Sequence, residues 1–453
     1  MAEQAQDGTT TTTVGAPTEP RFADRARAMV ARVLERLADP AAVAADTAVL
    51  AEMSWDGDDQ PLWVDLSLSS GFPGVSLAFS GSTPSGPEHA ARAHAHLARA
   101  MEVLAAERFP AAGIFTGPGS VAFATLVAHR ATGGYVNALA RMDEHQRRVV
   151  RATLPRPRTN TPLTTNGEFE AVRGLSGVGR YLLARDADGD ELRMVLSYLV
   201  GLAEGEILHR GRRVPRWWTL AAPKLGQEVE MPAGHLNLGL SHGIAGPLAL
   251  LALAWRAEVR VPGQRAAIEQ LVALLAECAV PTGDALWWPA FRTLEQWATA
   301  PDPGAPAQRP SWCYGAPGVS RAVQLAALAL DRPDWHELTR RSLTGLLDTP
   351  VADWGIDDPA LCHGWGGLLH LLGLLGEHLD DARLPAVRDE LAALVLAQYR
   401  DEYRFGFRST MTRVPQGVDV PAFLEGAAGV ALALDAYAEG RVVAGWDQAL
   451  LVA

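Results

Sequence analysis

The chain has 453 residues, 48% of them hydrophobic, and its 40 basic and 52 acidic side chains give a formal net charge of −12. This composition indicates a soluble globular protein with a sizeable core. It argues against a nucleic-acid partner, because nucleic-acid-binding proteins usually carry a clustered basic surface. No stretch approaches about 18 consecutive apolar residues, so the sequence predicts no transmembrane span.

Residues 1–20 (MAEQAQDGTTTTTVGAPTEP) lack the basic and apolar regions of a signal peptide. Their polar, low-complexity composition predicts a disordered N-terminal tail. Without an export signal, the protein is predicted to stay in the cytoplasm.

Short Gly-x-x-Gly turns, each followed by an apolar stretch, recur along the chain. They begin at Gly71, Gly117 (a degenerate copy), Gly174, Gly243, Gly315, Gly364 and Gly426. By subtraction, successive turns start 46 to 72 residues apart, which leaves room for two helices and their loops. This spacing is typical of helical-pair repeats. The following stretches, such as PLALLALAW from Pro247, are apolar on nearly all sides, which predicts buried helices.

These repeats also predict the domain organisation. In a closed ring, each helical pair buries its apolar face only against its neighbours, so the ring is one cooperative body. Residues 21–453 are therefore predicted to form a single domain. The segment 210–235 is long for a connection between helices. Either it covers the mouth of the ring or contacts a peptide, or it is a surface excursion with Trp217 and Trp218 packed onto the body.

The turns carry candidate metal ligands at equivalent positions. His242 and His363 each stand one residue before the first glycine of their repeat, and Cys313 and Cys362 each stand two before it. In a closed ring, these positions lie at one end and can converge. Two cysteines and one histidine are three of the four ligands of a tetrahedral zinc, and an open fourth position is typical of a catalytic site. The third cysteine, Cys278, lies in an apolar run and is predicted to be an ordinary buried thiol.

Four segments carry a resemblance to a known family: NLGLSHGIAG (237–246), RPSWCYGAPG (309–318), LCHGWGG (361–367) and FLEGAAG (423–429). They resemble those of the lanthionine synthetase C-like proteins, the cyclases of class I lanthipeptide biosynthesis. The resemblance implies an all-α fold, an α/α toroid of seven helical hairpins, with one zinc ion in its cavity. It also implies that Cys313, Cys362 and His363 are the zinc ligands.

The ligand set suggests a chemistry. Zinc bound by two thiolates and an imidazole is close to neutral, so it is a weak electrophile suited to holding a further thiolate as a nucleophile. In the family, the thiol belongs to a peptide cysteine, and it adds to dehydroalanine or dehydrobutyrine to give a lanthionine or methyllanthionine ring. The resemblance therefore implies a dehydrated precursor peptide as substrate, a separate dehydratase, and a membrane transporter complex as a further partner.

The addition requires a proton at the α carbon and stabilisation of the enolate. His242 is the candidate general acid. Arg309 matches an arginine that the family places near the zinc, and a guanidinium can stabilise enolate charge. Tyr314 offers a hydroxyl near the metal, with packing as the equal alternative. Glu170 stands where the family usually carries an aspartate. Either it does the same work from a shifted backbone, or proton transfer is distributed differently in this subgroup.

Three acidic residues precede Cys362. Asp353, Asp357 and Asp358 either orient His363 or act as loop and cap residues. Two other functions remain open from the sequence. One is addition of glutathione to dehydrated peptides, as in eukaryotic relatives, and the other is a non-catalytic peptide-binding scaffold with structural zinc. The presence of His242 and Arg309 beside the ligands argues against the scaffold, because a structural zinc site closes its fourth position with protein.

Overall fold

The computed structural model describes residues 12–15, 17, 19–55, 61–106, 113–154, 161–222, 229, 231–304, 307–410 and 414–453. These residues form 16 α-helices. In chain order the helices are α1 (Pro20–Arg36), α2 (Pro40–Thr47), α3 (Phe72–Ser80), α4 (Pro87–Ala106), α5 (Gly117–Thr132), α6 (Val136–Thr153), α7 (Leu175–Arg185), α8 (Asp190–Ala203), α9 (Ala245–Arg256), α10 (Gln264–Cys278), α11 (Leu294–Trp297), α12 (Ala316–Leu330), α13 (Pro333–Leu347), α14 (Trp365–Gly376), α15 (Leu384–Ala397) and α16 (Ala427–Glu439).

Seven of these helices form an inner ring, and each begins at a predicted glycine turn or within two residues of its first glycine. They are α3, α5, α7, α9, α12, α14 and α16. They are apolar on nearly every side and correspondingly buried. All residues of α3 are buried, for example, and in α14 only the last glycine is not. Burial of all faces requires a second layer of helices outside this ring.

The outer layer supplies one partner to each inner helix. Six inner helices pack against the helix that follows them in the chain, giving the pairs α3–α4, α5–α6, α7–α8, α9–α10, α12–α13 and α14–α15. The seventh, α16, packs instead against α1, and it also contacts α3 of the first repeat and α14 of the sixth. The prediction of an all-α toroid of seven helical hairpins is confirmed. Its seventh hairpin joins the first and last helices of the fold.

Adjacent glycine turns are joined by backbone hydrogen bonds. Leu240 N–H donates to the carbonyl of Cys313 over 3.0 Å, and Cys362 N–H donates to that of Leu424 over 3.0 Å. The turn of the seventh repeat closes onto the first, where Leu424 N–H donates to the carbonyl of Ser69 over 3.1 Å. The residues before the inner helices therefore lie together at one end of the ring.

The second glycine of a turn is required by close packing. A Cβ atom at Gly367 would lie 1.9 Å from the carbonyl oxygen of Leu361, and one at Gly429 would lie 1.8 Å from that of Phe423. No side chain fits at these distances, so only glycine allows the inner helix to start directly against its own turn.

The described chain also contains eight short β-strands. Among the described residues they form four two-stranded antiparallel sheets. The strands are β1 (Thr12–Thr13), β2 (Glu206–His209), β3 (Arg212–Pro215), β4 (His235–Asn237), β5 (Val280–Thr282), β6 (Ala285–Trp287), β7 (Phe291–Thr293) and β8 (Arg441–Val442), paired as β1–β8, β2–β3, β4–β7 and β5–β6.

The segment 210–235 is partly regular. It contains β3 and the first residue of β4, while residues 223–228 and 230 lie outside the described part of the chain. Trp217 and Trp218 are buried, with exposed fractions of 2% and 0%. The packing of these two rings onto the body is therefore confirmed.

The structure describes part of the range 1–20, which the sequence analysis predicts as a tail. Residues 1–11 are outside the described residues, but Thr12 and Thr13 pair with β8, and Val14 is buried. Val14 N–H donates to the carbonyl of Gly440 over 2.9 Å. This part of the range is thus held against the body by α16 and β8.

The chain segment 446–453 fills the centre of the ring. Arg180 of α7 donates to the carbonyl of Ala453 over 2.9 Å, and Arg321 of α12 donates to that of Val452 over 2.8 Å. Trp312 Nε1 donates to the carbonyl of Leu450 over 2.9 Å. Because the segment contacts inner helices on different sides, it supports the turn that carries Cys313 from within.

Within the described chain, no helix combines the length and apolarity needed to cross a bilayer.

Candidate active site

Three predicted metal ligands meet at the end of the ring where the glycine turns lie. Cys313 lies in the turn before α12, and Cys362 and His363 lie in the turn before α14. Their ligand atoms are all within 4.8 Å of one another, and Cys313 Sγ is 4.0 Å from His363 Nδ1. Ligand atoms around a tetrahedral zinc are separated by roughly 3.3–3.8 Å, given bond lengths of about 2.0–2.3 Å. The spacing therefore fits zinc after small adjustments.

The electrostatics of this cluster also fit a cation. A hydrogen bond with Cys362 and contact with His363 lower the pKa of Cys313 well below its usual value, whereas the Cys313 sulfur and burial raise the pKa of Cys362. Two adjacent thiolates repel each other, and a divalent cation between them removes this repulsion. Burial opposes protonation of His363, but the nearby Glu425 and Cys313 outweigh it and raise its pKa to about 9.

Glu425, to which the sequence analysis gave no role, lies beside His363, the predicted histidine ligand. Its Oε2 atom is 3.3 Å from His363 Nε2, and the two side chains are only 12% and 14% exposed. Burial raises the pKa of Glu425 to about 7. The residue belongs to the FLEGAAG motif, in which it directly precedes the glycine. This repeat position could have identified Glu425 from the sequence, because His363 occupies the equivalent position in its own repeat.

His242 and Glu170 form a second pair in the same region. The Nδ1 atom of His242 is hydrogen-bonded to Glu170 Oε2, and the other carboxylate oxygen accepts the backbone N–H of Arg173. The Glu170 side chain is 2% exposed and that of His242 is 40% exposed. Burial lowers the pKa of His242, but the charge and hydrogen bond of Glu170, with the charge of Cys313, reverse this and raise it. Glu170 thus reaches His242 despite its extra methylene.

Tyr314 is held by an amide that the sequence analysis did not single out. Asn237 Nδ2 donates to the Tyr314 hydroxyl oxygen over 3.1 Å, while Asn237 Oδ1 accepts the Gly239 N–H over 3.1 Å. Since Asn237 is the donor, the proton of the Tyr314 hydroxyl is left for another acceptor. Burial raises the pKa of Tyr314, so the hydroxyl keeps this proton. The ring centroids of Tyr314 and His242 are 6.5 Å apart.

Arg309 and two of the acidic residues that precede Cys362 are the remaining predicted residues. Arg309 is half-buried in the segment leading to the Cys313 turn. Asp358 is buried and accepts hydrogen bonds from the N–H groups of Ala360 and Thr410, both over 2.8 Å. These contacts favour the interpretation of Asp358 as a loop residue. Asp357 likewise accepts from the Thr410 hydroxyl over 3.1 Å.

Comparison with known proteins bears on this arrangement. The family model described as "Lanthionine synthetase C-like protein" matches residues 62–451, most of the chain. The chain belongs to the lanthionine synthetase C-like family. A curated relative, "Nisin biosynthesis protein NisC" of Lactococcus lactis subsp. lactis, is 23% identical over 398 residues, which are 86% of this chain and 89% of the relative.

The fold of this family member also matches a solved structure. The structure described as "Nisin cyclase" superimposes with a TM-score of 0.70 at 22% sequence identity, covering 86% of this chain and 92% of the other. At this identity the match supports the toroid fold alone. The resemblance inferred from the glycine-turn motifs is confirmed by the family match.

Proposed function

We propose that this lanthionine synthetase C-like protein is a zinc-dependent lanthipeptide cyclase. It would add cysteine thiols of a peptide to dehydroalanine or dehydrobutyrine of the same peptide, forming lanthionine and methyllanthionine rings. The observation that carries the proposal is the meeting of the Cys313–Cys362–His363 cluster with the His242–Glu170 pair at one end of the ring. The family and the name of the relative, a nisin biosynthesis protein, support this substrate class.

The metal would be held by Cys313 Sγ, Cys362 Sγ and His363 Nδ1, the atoms that face one another. Zinc bound there would supply acidification of a substrate thiol and fix its sulfur in place. The ligand atoms are carried by two turns joined through backbone hydrogen bonds, so their spacing is set by the ring. This rigid support keeps the ligand geometry independent of the substrate.

The reaction forms a carbon–sulfur bond at the β carbon of the dehydro residue. As this bond forms, the π electron pair of the alkene moves towards the carbonyl oxygen and gives an enolate. A proton must then reach the α carbon. In this proposal His242, whose pKa is raised by Glu170, would deliver that proton from Nε2, because Glu170 engages Nδ1. Glu170 thereby sets the orientation of the ring.

Developing charge on the enolate oxygen requires a donor. The Tyr314 hydroxyl is suited to this, since Asn237 leaves its proton available. Arg309 is proposed to stabilise the same charge or a substrate carbonyl from the segment that leads into the Cys313 turn. The protein would act in the cytoplasm on a precursor peptide already dehydrated by a separate enzyme, with a membrane transporter complex as a further partner.

The proposal is tested by incubating a dehydrated candidate peptide with the purified protein and zinc. Intramolecular cyclisation consumes free thiols without changing the mass of the peptide. Including glutathione distinguishes the alternative activity, because each dehydro residue that reacts with glutathione increases the peptide mass by one glutathione. The double variant Cys313→Ala/Cys362→Ala is the control for uncatalysed addition. Thiol loss no faster than in this control would contradict the proposed activity.

A further inference from the structure

We infer that Glu425 is a positioning residue for the proposed zinc site. Its carboxylate fixes the tautomer and the orientation of His363. This inference rests on the proposed zinc site and adds a residue to it. His363 presents Nδ1 towards Cys313 Sγ, at 4.0 Å, and Nε2 towards Glu425 Oε2, at 3.3 Å. The two nitrogens of one ring therefore face a thiol and a carboxylate on opposite sides.

The tautomer follows from this placement. A histidine that binds a metal through Nδ1 must carry its proton on Nε2, and an acceptor beside Nε2 stabilises that form. Glu425 is the acceptor at this position. Its charge also offsets positive charge on a metal-bound imidazole, which makes the ring a more basic ligand.

The Glu425 carboxylate faces two of the three proposed ligands, because it also interacts with the Cys362 thiol. Both Oε2 of Glu425 and Nε2 of His363 are buried, and neither has a hydrogen-bond partner in the described residues. Their 3.3 Å separation is an ion-pair distance without the alignment of a hydrogen bond. A buried carboxylate is costly unless it is paired, and His363 is the cationic partner within reach of Glu425.

The fold brings the two residues together through equivalent positions. Each precedes the first glycine of its repeat, and the repeats are adjacent. Cys362 N–H donates to the carbonyl of Leu424 over 3.0 Å, which fixes the neighbouring residues His363 and Glu425 side by side. The carboxylate is therefore delivered by the seventh repeat to a ligand of the sixth.

The test measures zinc affinity by competition with a chromophoric chelator, which does not depend on catalysis. Glu425→Ala is expected to weaken zinc binding by about 10- to 100-fold, the range found when such outer partners are removed. Glu425→Gln keeps an acceptor oxygen and is expected to restore most of the affinity. Glu277→Gln, an exposed change on α10, is the control for loss of one negative charge and should match the unmodified protein.

Two outcomes would overturn the inference while leaving the proposed function intact. One is an unchanged affinity in Glu425→Ala, and the other is equal weakening in Glu425→Gln and Glu425→Ala. Failure of the unmodified protein to bind zinc would instead defeat the proposed function. If the variants do not fold, selective ¹⁵N-histidine NMR of the zinc-loaded native protein still tests the orientation of His363 on which the inference rests. A proton on Nε2 of His363 is expected, and one on Nδ1 would overturn the inference.

Discussion

The backbone N–H of Cys313 donates to the carbonyl oxygen of Cys362 over 3.4 Å. The two thiols thus belong to turns that are bonded to each other, although the residues are far apart in sequence. A site built on such a ring is held by tertiary closure, because each turn takes its position from its neighbour. The proposed metal site therefore depends on the integrity of the whole toroid.

Zinc content is the first testable consequence. The purified protein is expected to contain about one zinc per chain, measured by elemental analysis, and Cys362→Ala is expected to lose it. Cys278→Ala is the matched control, since Cys278 is a buried free thiol on α10, outside the cluster. Full metal occupancy in Cys362→Ala would remove the basis for the mechanism.

Ring closure is tested by truncation. Removing the chain from Val420 onward deletes α16, which packs against α1, α3 and α14. Because no repeat can bury its apolar face without neighbours, the whole chain is expected to unfold, with loss of the helical circular dichroism signal. A stable, soluble and helical truncation would instead indicate that the repeats form an open solenoid.

Proton delivery by His242 is tested separately from metal binding. His242→Ala is expected to retain zinc and to bind the precursor, while cyclisation slows by about a hundred- to ten-thousand-fold. The measurements are metal content, peptide binding and the rate of thiol loss. Loss of zinc would show that His242 is a ligand, and an unchanged rate would require the proton to come from water or another residue.

The pH dependence tests the Glu170–His242 pair. Glu170 contributes to raising the pKa of His242 above the ordinary histidine value of 6.5. The imidazolium form therefore persists to higher pH, and activity is expected to fall as pH rises through this raised pKa. Glu170→Gln removes the charge, so the falling limb should move to lower pH in a pH–rate profile. An unmoved limb together with a near-normal rate would mean that the glutamate has no part in proton transfer.

The hydroxyl of Tyr314 gives a further prediction. Tyr314→Phe removes the donor and retains the ring, so kcat is expected to fall by roughly 10²-fold or more, by analogy with loss of one oxyanion donor. Zinc content should not change. Asn237→Ala is the companion variant, because it leaves the hydroxyl present but no longer fixed by the 3.1 Å hydrogen bond, and a smaller loss is expected. An unaffected rate in Tyr314→Phe would assign this residue to packing.

Acid sensitivity of the fold is expected from two buried histidines. Burial lowers the pKa of His96 and of His235 to about 4, from an ordinary value of 6.5. As pH falls, these histidines bind protons in the unfolded chain before they do so in the folded protein. The free energy of unfolding therefore decreases from about pH 6.5 towards pH 4. The loss reaches about 3 kcal/mol for each residue. Urea unfolding across this range measures the loss. His235→Phe should flatten the slope, and an unchanged slope would contradict the assignment.

The sequence by itself determined the repeat and its register. Glycine turns followed by apolar stretches predicted the inner helices, because buried helices need apolar residues on all faces and tight turns need glycine. The same register predicted that Cys313, Cys362, His363 and His242 would converge, and the structure brings them to one end of the ring. These features are local, so they are visible without knowledge of long-range contacts.

Only the tertiary structure decided which equivalent positions touch. Pairing of α16 with α1, the contact of Glu425 with His363, and the hold of Asn237 on Tyr314 all join residues from different repeats or strands. The central position of segment 446–453, fixed by Arg180 and Arg321, also depends on closure of the ring. A sequence period identifies residues in the same place of each repeat, but the distances between their side chains arise only when the repeats curve into a closed ring.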